Sequence, residues 1–169
     1  MRDWRLALGS MTASLQLTVN GQLREAAAPD GAPLLHVLRN LLDLKAARFG
    51  CGEEACGACR VLVDGEPEFA CTYPATSAVG RQVITAEGLE ALPSGAALID
   101  AFLAEQAGQC GFCLTGILIA ATALLANNQR PDRAAILAAL DPHLCRCGAH
   151  ARMVRAVERA SASLAGAAA

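Results

Sequence analysis

The stretch RFGCGEEACGACRVLVDGEPEFACTYP, Arg48 to Pro74, sets Cys51, Cys56, Cys59 and Cys71 in one short, glycine-rich segment. The other four of the chain's eight cysteines return far downstream as QCGFC and LCRCG, at Cys110, Cys113, Cys145 and Cys147. Upstream of the first group, Leu15 to Val19 alternates apolar and polar residues, Asn20-Gly21 is a two-residue turn signal, and Gln22 to Ala26 returns as a second strand. LLHVLRNLLDL then carries apolar residues at helical spacing and predicts a helix over Leu34 to Leu42. After the third cysteine, RVLVDGEPEFAC alternates around Asp64-Gly65, and RQVITAEGL reads as one more short strand. The first part therefore mixes a small sheet with one helix.

From Pro93 onward the pattern changes to Ala- and Leu-rich helical segments: SGAALIDAFLAEQ, LTGILIAATALLANN, RPDRAAILAAL and ARMVRAVERASASLA. Four helices suggest a bundle, with Ser94 and Asp132 as N-caps and Pro131 marking a break. Ile117, Leu118, Leu124 and Leu125 are expected in its core. The whole is an α+β chain with an expected extension at 1–13, a first domain at 14–88, a helical domain at 89–164 and a tail at 165–169. Met11 offers a second plausible start.

Of the 169 residues, 54% are hydrophobic and 18% charged, which is ample for packed cores. The formal net charge of −2 leaves no basic stripe for nucleic acid and no polybasic membrane anchor. The most apolar run, Gly111 to Ala126, is shorter than the roughly 20 residues a membrane helix needs and reads as a buried helix. The arginines of MRDWRLALGSMTAS are not adjacent and no apolar h-region follows them, so a secretory signal is not expected and the compartment reads as cytoplasmic. There cellular thiols keep cysteine pairs reduced, and clustered spacing points to metal or redox chemistry.

The first group has the spacing C-x4-C-x2-C with a distant fourth cysteine, the plant-type [2Fe-2S] arrangement. A cluster held by four thiolates is anionic, so backbone N–H groups must point at its sulfurs and small residues must let the backbone wrap close. Gly50, Gly52, Ala55, Gly57 and Ala58 meet that need. A structural zinc site usually takes paired short knuckles instead. The second group pairs CxxC with CxC, a spacing that does not itself choose between zinc and an iron–sulfur cluster. Both pairs stand just before predicted helices, whose N-termini favour thiolates.

GCGEEACGACRVLVDG, AEGL, QCGFCLTGILIAATALL and LCRCGAHARMVRAV, in that order over about Leu15 to Glu158, resemble the small two-cluster iron–sulfur subunit of the xanthine oxidase family of molybdenum hydroxylases. The resemblance implies a plant-type ferredoxin-like (β-grasp) domain followed by a four-helix domain. It implies a [2Fe-2S] cluster on Cys51, Cys56, Cys59 and Cys71, and another on Cys110, Cys113, Cys145 and Cys147. Gln109 and Cys147 would lie nearest a molybdopterin cofactor on a large partner subunit. That subunit would insert water-derived oxygen into a C–H bond, and this chain would carry the released electrons onward. CRCGAH, where many relatives have CRCTGY, resembles the isoquinoline 1-oxidoreductase and nicotinate dehydrogenase subgroup. That implies an N-heteroaromatic substrate, the cytosine dinucleotide form of the pterin and, as further partner, a cytochrome c subunit more readily than a flavin subunit. An aldehyde- or xanthine-type dehydrogenase is the alternative within the family; a stand-alone ferredoxin-like carrier or a zinc-binding module lies outside it.

Other residues read more plainly. His36 sits on an amphipathic helix, and His143 and His150 flank a loop already supplied with cysteines, so none is expected as a ligand; His150 suits a contact to partner or cofactor. Arg146, between two cysteines, suits a contact that offsets negative charge. Glu53 and Glu54 either tune the first site and meet a basic redox partner or form a solvated loop tip. Asp141-Pro142-His143 replaces the more usual Gly-Asn before the last pair.

Overall fold

The structure is a computed structural model that describes residues 12–167. The chain begins with a hairpin, β1 (Thr12–Val19) and β2 (Gln22–Pro29), closed by Asn20 and Gly21 with φ of 51° and 75°. Positive φ at both turn residues matches the twist of the flanking strands. The second hairpin, β3 (Arg60–Val63) and β4 (Glu66–Phe69), turns the same way at Asp64 and Gly65. With β5 (Gln82–Ile84) these make a five-stranded sheet in the order β2-β1-β5-β3-β4, in which β1 and β5 run parallel. Asn20 fixes that parallel junction: its side-chain amide donates to Thr85 Oγ1 at 3.0 Å and accepts the Thr85 N–H at 2.9 Å.

α1 spans Leu34–His36 and continues as a π-helical turn over Val37–Leu41, closed by the Leu42 N–H on the Val37 carbonyl. The helix predicted over Leu34 to Leu42 is thus present but widened, leaving Leu41 exposed and Leu42 buried under the sheet. Leu15, Leu17, Val19, Leu34, Leu38, Val61 and Val83 form the core on this side.

Four further helices follow: α2 (Pro93–Ala104), α3 (Leu114–Asn127), α4 (Arg133–Leu140) and α5 (His150–Ala167). Ile117 and Leu125 are fully buried among Leu98, Ile136, Met153 and Val157, and Leu118 and Leu124 pack against them half-buried. A small shared cluster of Leu62, Leu89, Ile119 and Ala123 joins the sheet to α3.

Several expectations need correcting. Ser94 does not cap α2: Leu92 is the N-cap, Pro93 is the first helical residue, and Ser94 is buried one position further in. Proline suits that first position because its φ is preset and it has no N–H to satisfy. Asp132 does cap α4, accepting the Ala135 N–H at 2.7 Å. Thr12 and Ala13, expected in an extension, pair with Pro29 and Ala28 of β2, so β2 continues past Ala26. Residues 1–11, Met11 included, lie outside the described residues. RQVITAEGL holds only three strand residues before a 3₁₀ turn, Ala86–Ala91. α5 runs to Ala167, into the stretch expected as a tail.

At one point the two halves meet backbone to backbone, where α3 crosses the first cysteine loop. A Cβ built on Gly116 of α3 would stand 2.1 Å from the Gly57 carbonyl oxygen, a clash with backbone that a side-chain movement cannot relieve. Gly116→Ala should therefore destabilise the chain by about 1–3 kcal/mol, the range for overpacking. In a chain of this size each kcal/mol lowers the melting temperature by about 2–4 °C. An unchanged melting temperature would contradict the close approach.

Candidate metal centres

Cys51, Cys56 and Cys59 lie on the loop that leads from α1 into β3, and Cys71 follows β4. The β3–β4 hairpin brings the third and fourth cysteines near each other, because the register that pairs Arg60 with Phe69 continues to Ala70, whose N–H donates to the Cys59 carbonyl at 3.4 Å, and Cys71 is the next residue. The thiols interact in pairs: Cys51 with Cys56, and Cys59 with Cys71. Backbone N–H groups from Glu53 and Ala55 donate to Cys51 Sγ at 3.4 and 3.2 Å, and the Cys51 N–H reaches Cys56 Sγ at 3.4 Å. Led by the Glu53 N–H, these donors hold the Cys51 thiol down at about 7. Burial pushes Cys59 up to about 12, so a thiolate there needs a cation to be stable. Gly50 makes room for the group, since a Cβ there would lie 2.7 Å from Cys56 Sγ.

The second group is gathered from two helix starts. Cys113 is the N-cap of α3 with Cys110 three residues earlier, while Cys145 and Cys147 lie on the loop between α4 and α5. Cys147 Sγ stands 3.5 Å from Cys110 Sγ, and Cys113 pairs with Cys145. Burial pushes Cys113 up to about 12. Burial opposes ionisation of Cys145 too, but the Ala149 N–H, the Cys113 thiol and the N–H groups of Cys147 and Gly148, at the entrance of α5, together overcome it and leave its pKa lowered. Cys110, which is exposed, is lowered chiefly by the Phe112 N–H.

Both donor sets therefore consist of two thiol pairs. Two pairs ringed by backbone N–H donors fit a dinuclear iron–sulfur cluster, in which two irons share four thiolates and the sulfurs accept hydrogen bonds. The residues present thus suit one such cluster in each group.

Gln109 is exposed beside the second group, and its Nε2 donates to the Cys147 carbonyl at 3.3 Å, tying the CxxC segment to the CxC segment. Arg146 is exposed between the two cysteines. Glu54, with φ of 63°, accepts a hydrogen bond from the Thr72 hydroxyl, so it ties the first loop to the residue after Cys71 rather than forming a free tip. Glu53 is exposed. His36 pairs with Asn40 at 2.9 Å, and His150 opens α5, half-buried.

His143 departs most from expectation. It is 3% exposed, and its ring packs where a Cβ on Gly57 would stand 2.4 Å from His143 Cδ2. Burial holds its pKa down at about 4, so it is neutral near pH 7 and adds no charge between the two groups. Its neighbour Leu144 donates its N–H to the Cys56 carbonyl at 3.1 Å. One hydrogen bond thus joins the residue before Cys145 to a cysteine of the first group. Neither Leu144 nor Gly57 stood out in the sequence in this role, because nothing local marks a backbone contact between segments so far apart along the chain.

No helix among the described residues is long and apolar enough to cross a membrane. Two family models match the chain, a 2Fe-2S iron-sulfur cluster binding domain over residues 17–89 and a [2Fe-2S] binding domain over residues 85–158. The chain is 42% identical over 151 residues to one of the subunits of nicotinate dehydrogenase from Pseudomonas putida, covering 89% of this chain and 96% of that protein. It is 41% identical over 149 residues to the alpha subunit of isoquinoline 1-oxidoreductase from Brevundimonas diminuta, covering 87% and 97%. The crystal structure of quinoline 2-oxidoreductase from Pseudomonas putida 86 contains a chain that matches with a TM-score of 0.85 at 33% identity, over 94% of this chain and 98% of that one. The chain belongs to the iron–sulfur small subunits, with two 2Fe-2S domains, of the xanthine oxidase family of molybdenum-containing oxidoreductases, whose catalysis takes place on a partner subunit.

Proposed function

We propose that this chain is the electron-transfer component of a molybdenum hydroxylase acting on an N-heteroaromatic compound, passing electrons from a molybdopterin site on its large partner to an external acceptor. The observation that carries this reading is the arrangement of the two cysteine groups, one hydrogen bond apart at Leu144 and Cys56, with the Cys110–Cys147 pair at an exposed end beside Gln109.

In this reading Cys51, Cys56, Cys59 and Cys71 hold one [2Fe-2S] cluster and Cys110, Cys113, Cys145 and Cys147 the other. When bound, such a cluster takes up and releases one electron with little rearrangement of its ligands. The chain's own residues do the rest. Backbone N–H groups on Cys51 and Cys145 stabilise anionic sulfur. The buried Cys59 and Cys113 keep water from one side of each group. Gln109 holds the Cys147 backbone in place at the surface, where the exposed Phe112 and Leu144 supply apolar contact for the large subunit.

The substrate class is supported by the names of the similar proteins, which act on nicotinate, isoquinoline and quinoline. The CRCGAH segment, by its resemblance to that subgroup, is the ground for proposing the cytosine dinucleotide form of the pterin on the partner and, for the onward acceptor, a cytochrome c subunit rather than a flavin subunit. A cytoplasmic location follows from the same reading.

The complex purified from its source should contain about four irons and four acid-labile sulfides per copy of this chain, with molybdenum in the co-purifying large subunit. Stoichiometric zinc in place of iron would overturn the assignment. Cys56→Ser should abolish turnover with the acceptor, while substrate still reduces molybdenum and the cluster of the helical half; full turnover in that variant would mean that the order of the relay is wrong. Gln109→Ala should slow reduction of both clusters by substrate without changing their iron content. Unchanged reduction rates and cofactor content would remove Gln109 from that role.

A further inference from the structure

Arg60 is the residue directly after Cys59, on the first position of β3, and it lies half-buried at the seam between the sheet and the helices. There it lines an open groove of about 350 Å³ with Glu66, Ala120, Ala123, Asn127 and Pro142, the Glu66 carboxylate lying beyond ion-pair distance. Its guanidinium lies 4.1 Å from the centre of the Phe69 ring, and one Nη donates to the Pro67 carbonyl at 3.0 Å. Its Nε is buried and has no hydrogen-bond partner. Among the described residues no carboxylate comes within ion-pair distance of it; Glu68, on β4, acts on it only at longer range.

This arrangement is costly. A guanidinium taken from water normally keeps an anionic partner, and an orphaned buried donor calls for an explanation. The ring beneath it and a single carbonyl hold the group in place without neutralising it. Burial works against its charged form, and Cys59 and Glu68 work for it. The histidine on the facing loop, His143, is neutral. Arg60 therefore places a permanent positive charge, half removed from water, beside a ligand of the first cysteine group and on the side that faces the second.

We propose that Arg60 sets the reduction potential of the cluster held by Cys51, Cys56, Cys59 and Cys71, raising it so that an electron arriving from the helical half is retained there. The inference rests on the reading that these cysteines hold a cluster. One-electron reduction adds a negative charge to the cluster and moves no proton to or from Arg60, which stays protonated throughout. A fixed cation attracts the reduced form more than the oxidised form, so the midpoint rises, and the low dielectric of the seam strengthens the effect. Arg60 is a positioning residue for charge and touches neither substrate nor acceptor.

The test is a potentiometric titration of the purified complex, with both cluster signals followed by electron paramagnetic resonance, for the wild type, Arg60→Gln, Arg60→Met and Arg60→Lys. In the neutral variants the ratio of reduced to oxidised first cluster at the wild-type midpoint should fall at least tenfold, a shift of about 59 mV for a one-electron couple. The helical cluster should move less than half as far, and Arg60→Lys should restore most of the loss. The helical signal at full intensity in the same samples shows that a variant is folded, and the methionine variant keeps the apolar stem in the seam if glutamine is not tolerated. An unchanged first midpoint in whichever neutral variant is folded would overturn the proposal. So would a lysine variant displaced as far as the neutral ones, which would make the role purely one of packing. Absence of both cluster signals from the wild-type complex would instead reject the cluster reading itself.

Discussion

The constraint on which the rest of this molecule depends is the backbone contact between its two cysteine-bearing loops. The Gly57 carbonyl lies where a Cβ of Gly116 would be, Gly57 itself sits against the ring of His143, and Cys56 accepts the Leu144 N–H. Each contact needs something particular. Gly57, at φ of 73°, adopts a backbone conformation that other residues disfavour, and Gly116 must lack a side chain on the face of α3 that meets the sheet. With those conditions met, a single backbone hydrogen bond, Leu144 N–H to the Cys56 carbonyl, joins the two cysteine-bearing loops. Displacing either glycine would separate the groups without altering a single cysteine.

Around that contact, the electrostatic design is the same in both halves although the folds differ. Each group has an exposed or half-exposed cysteine whose pKa is lowered by backbone donors, Cys51 in the sheet half and Cys110 in the helical half. Each also has a buried cysteine pushed up to about 12, Cys59 and Cys113. In the sheet half the donors come from a tight loop, and in the second they come in part from the entrance of α5. A loop lined with N–H groups and a helix start are two ways of aiming the same dipoles at sulfur.

The parts of this plan that were legible in the sequence are the ones written in local chemistry. Asn20-Gly21 and Asp64-Gly65 fix their hairpins through the φ values they permit, and the eight cysteines separate into the two groups that the structure brings together. Asp132 caps its helix because its side chain needs only the N–H three residues on. The misreadings arise where a distant partner or a competing neighbour decides. Pro93 takes the first helical position and leaves Ser94 inside the helix. The α1 pattern carries no mark of its wider turn, whose extra residue is absorbed by packing against the sheet. His143 reads from the sequence as flanking a loop and is in fact buried, since its cover comes from Gly57, a residue of the other half. Glu54 reads as a loop tip until Thr72 is seen beside it.

The Leu144–Cys56 hydrogen bond also bears on how the protein matures. The loop that must wrap around the first cofactor is the surface on which the helical half is seated, so ordering that loop and seating the helices are one event rather than two. A cofactor delivered to Cys51, Cys56, Cys59 and Cys71 stiffens the ledge against which Cys145 is held, and by thermodynamic reciprocity a filled helical site steadies the first loop to the same degree.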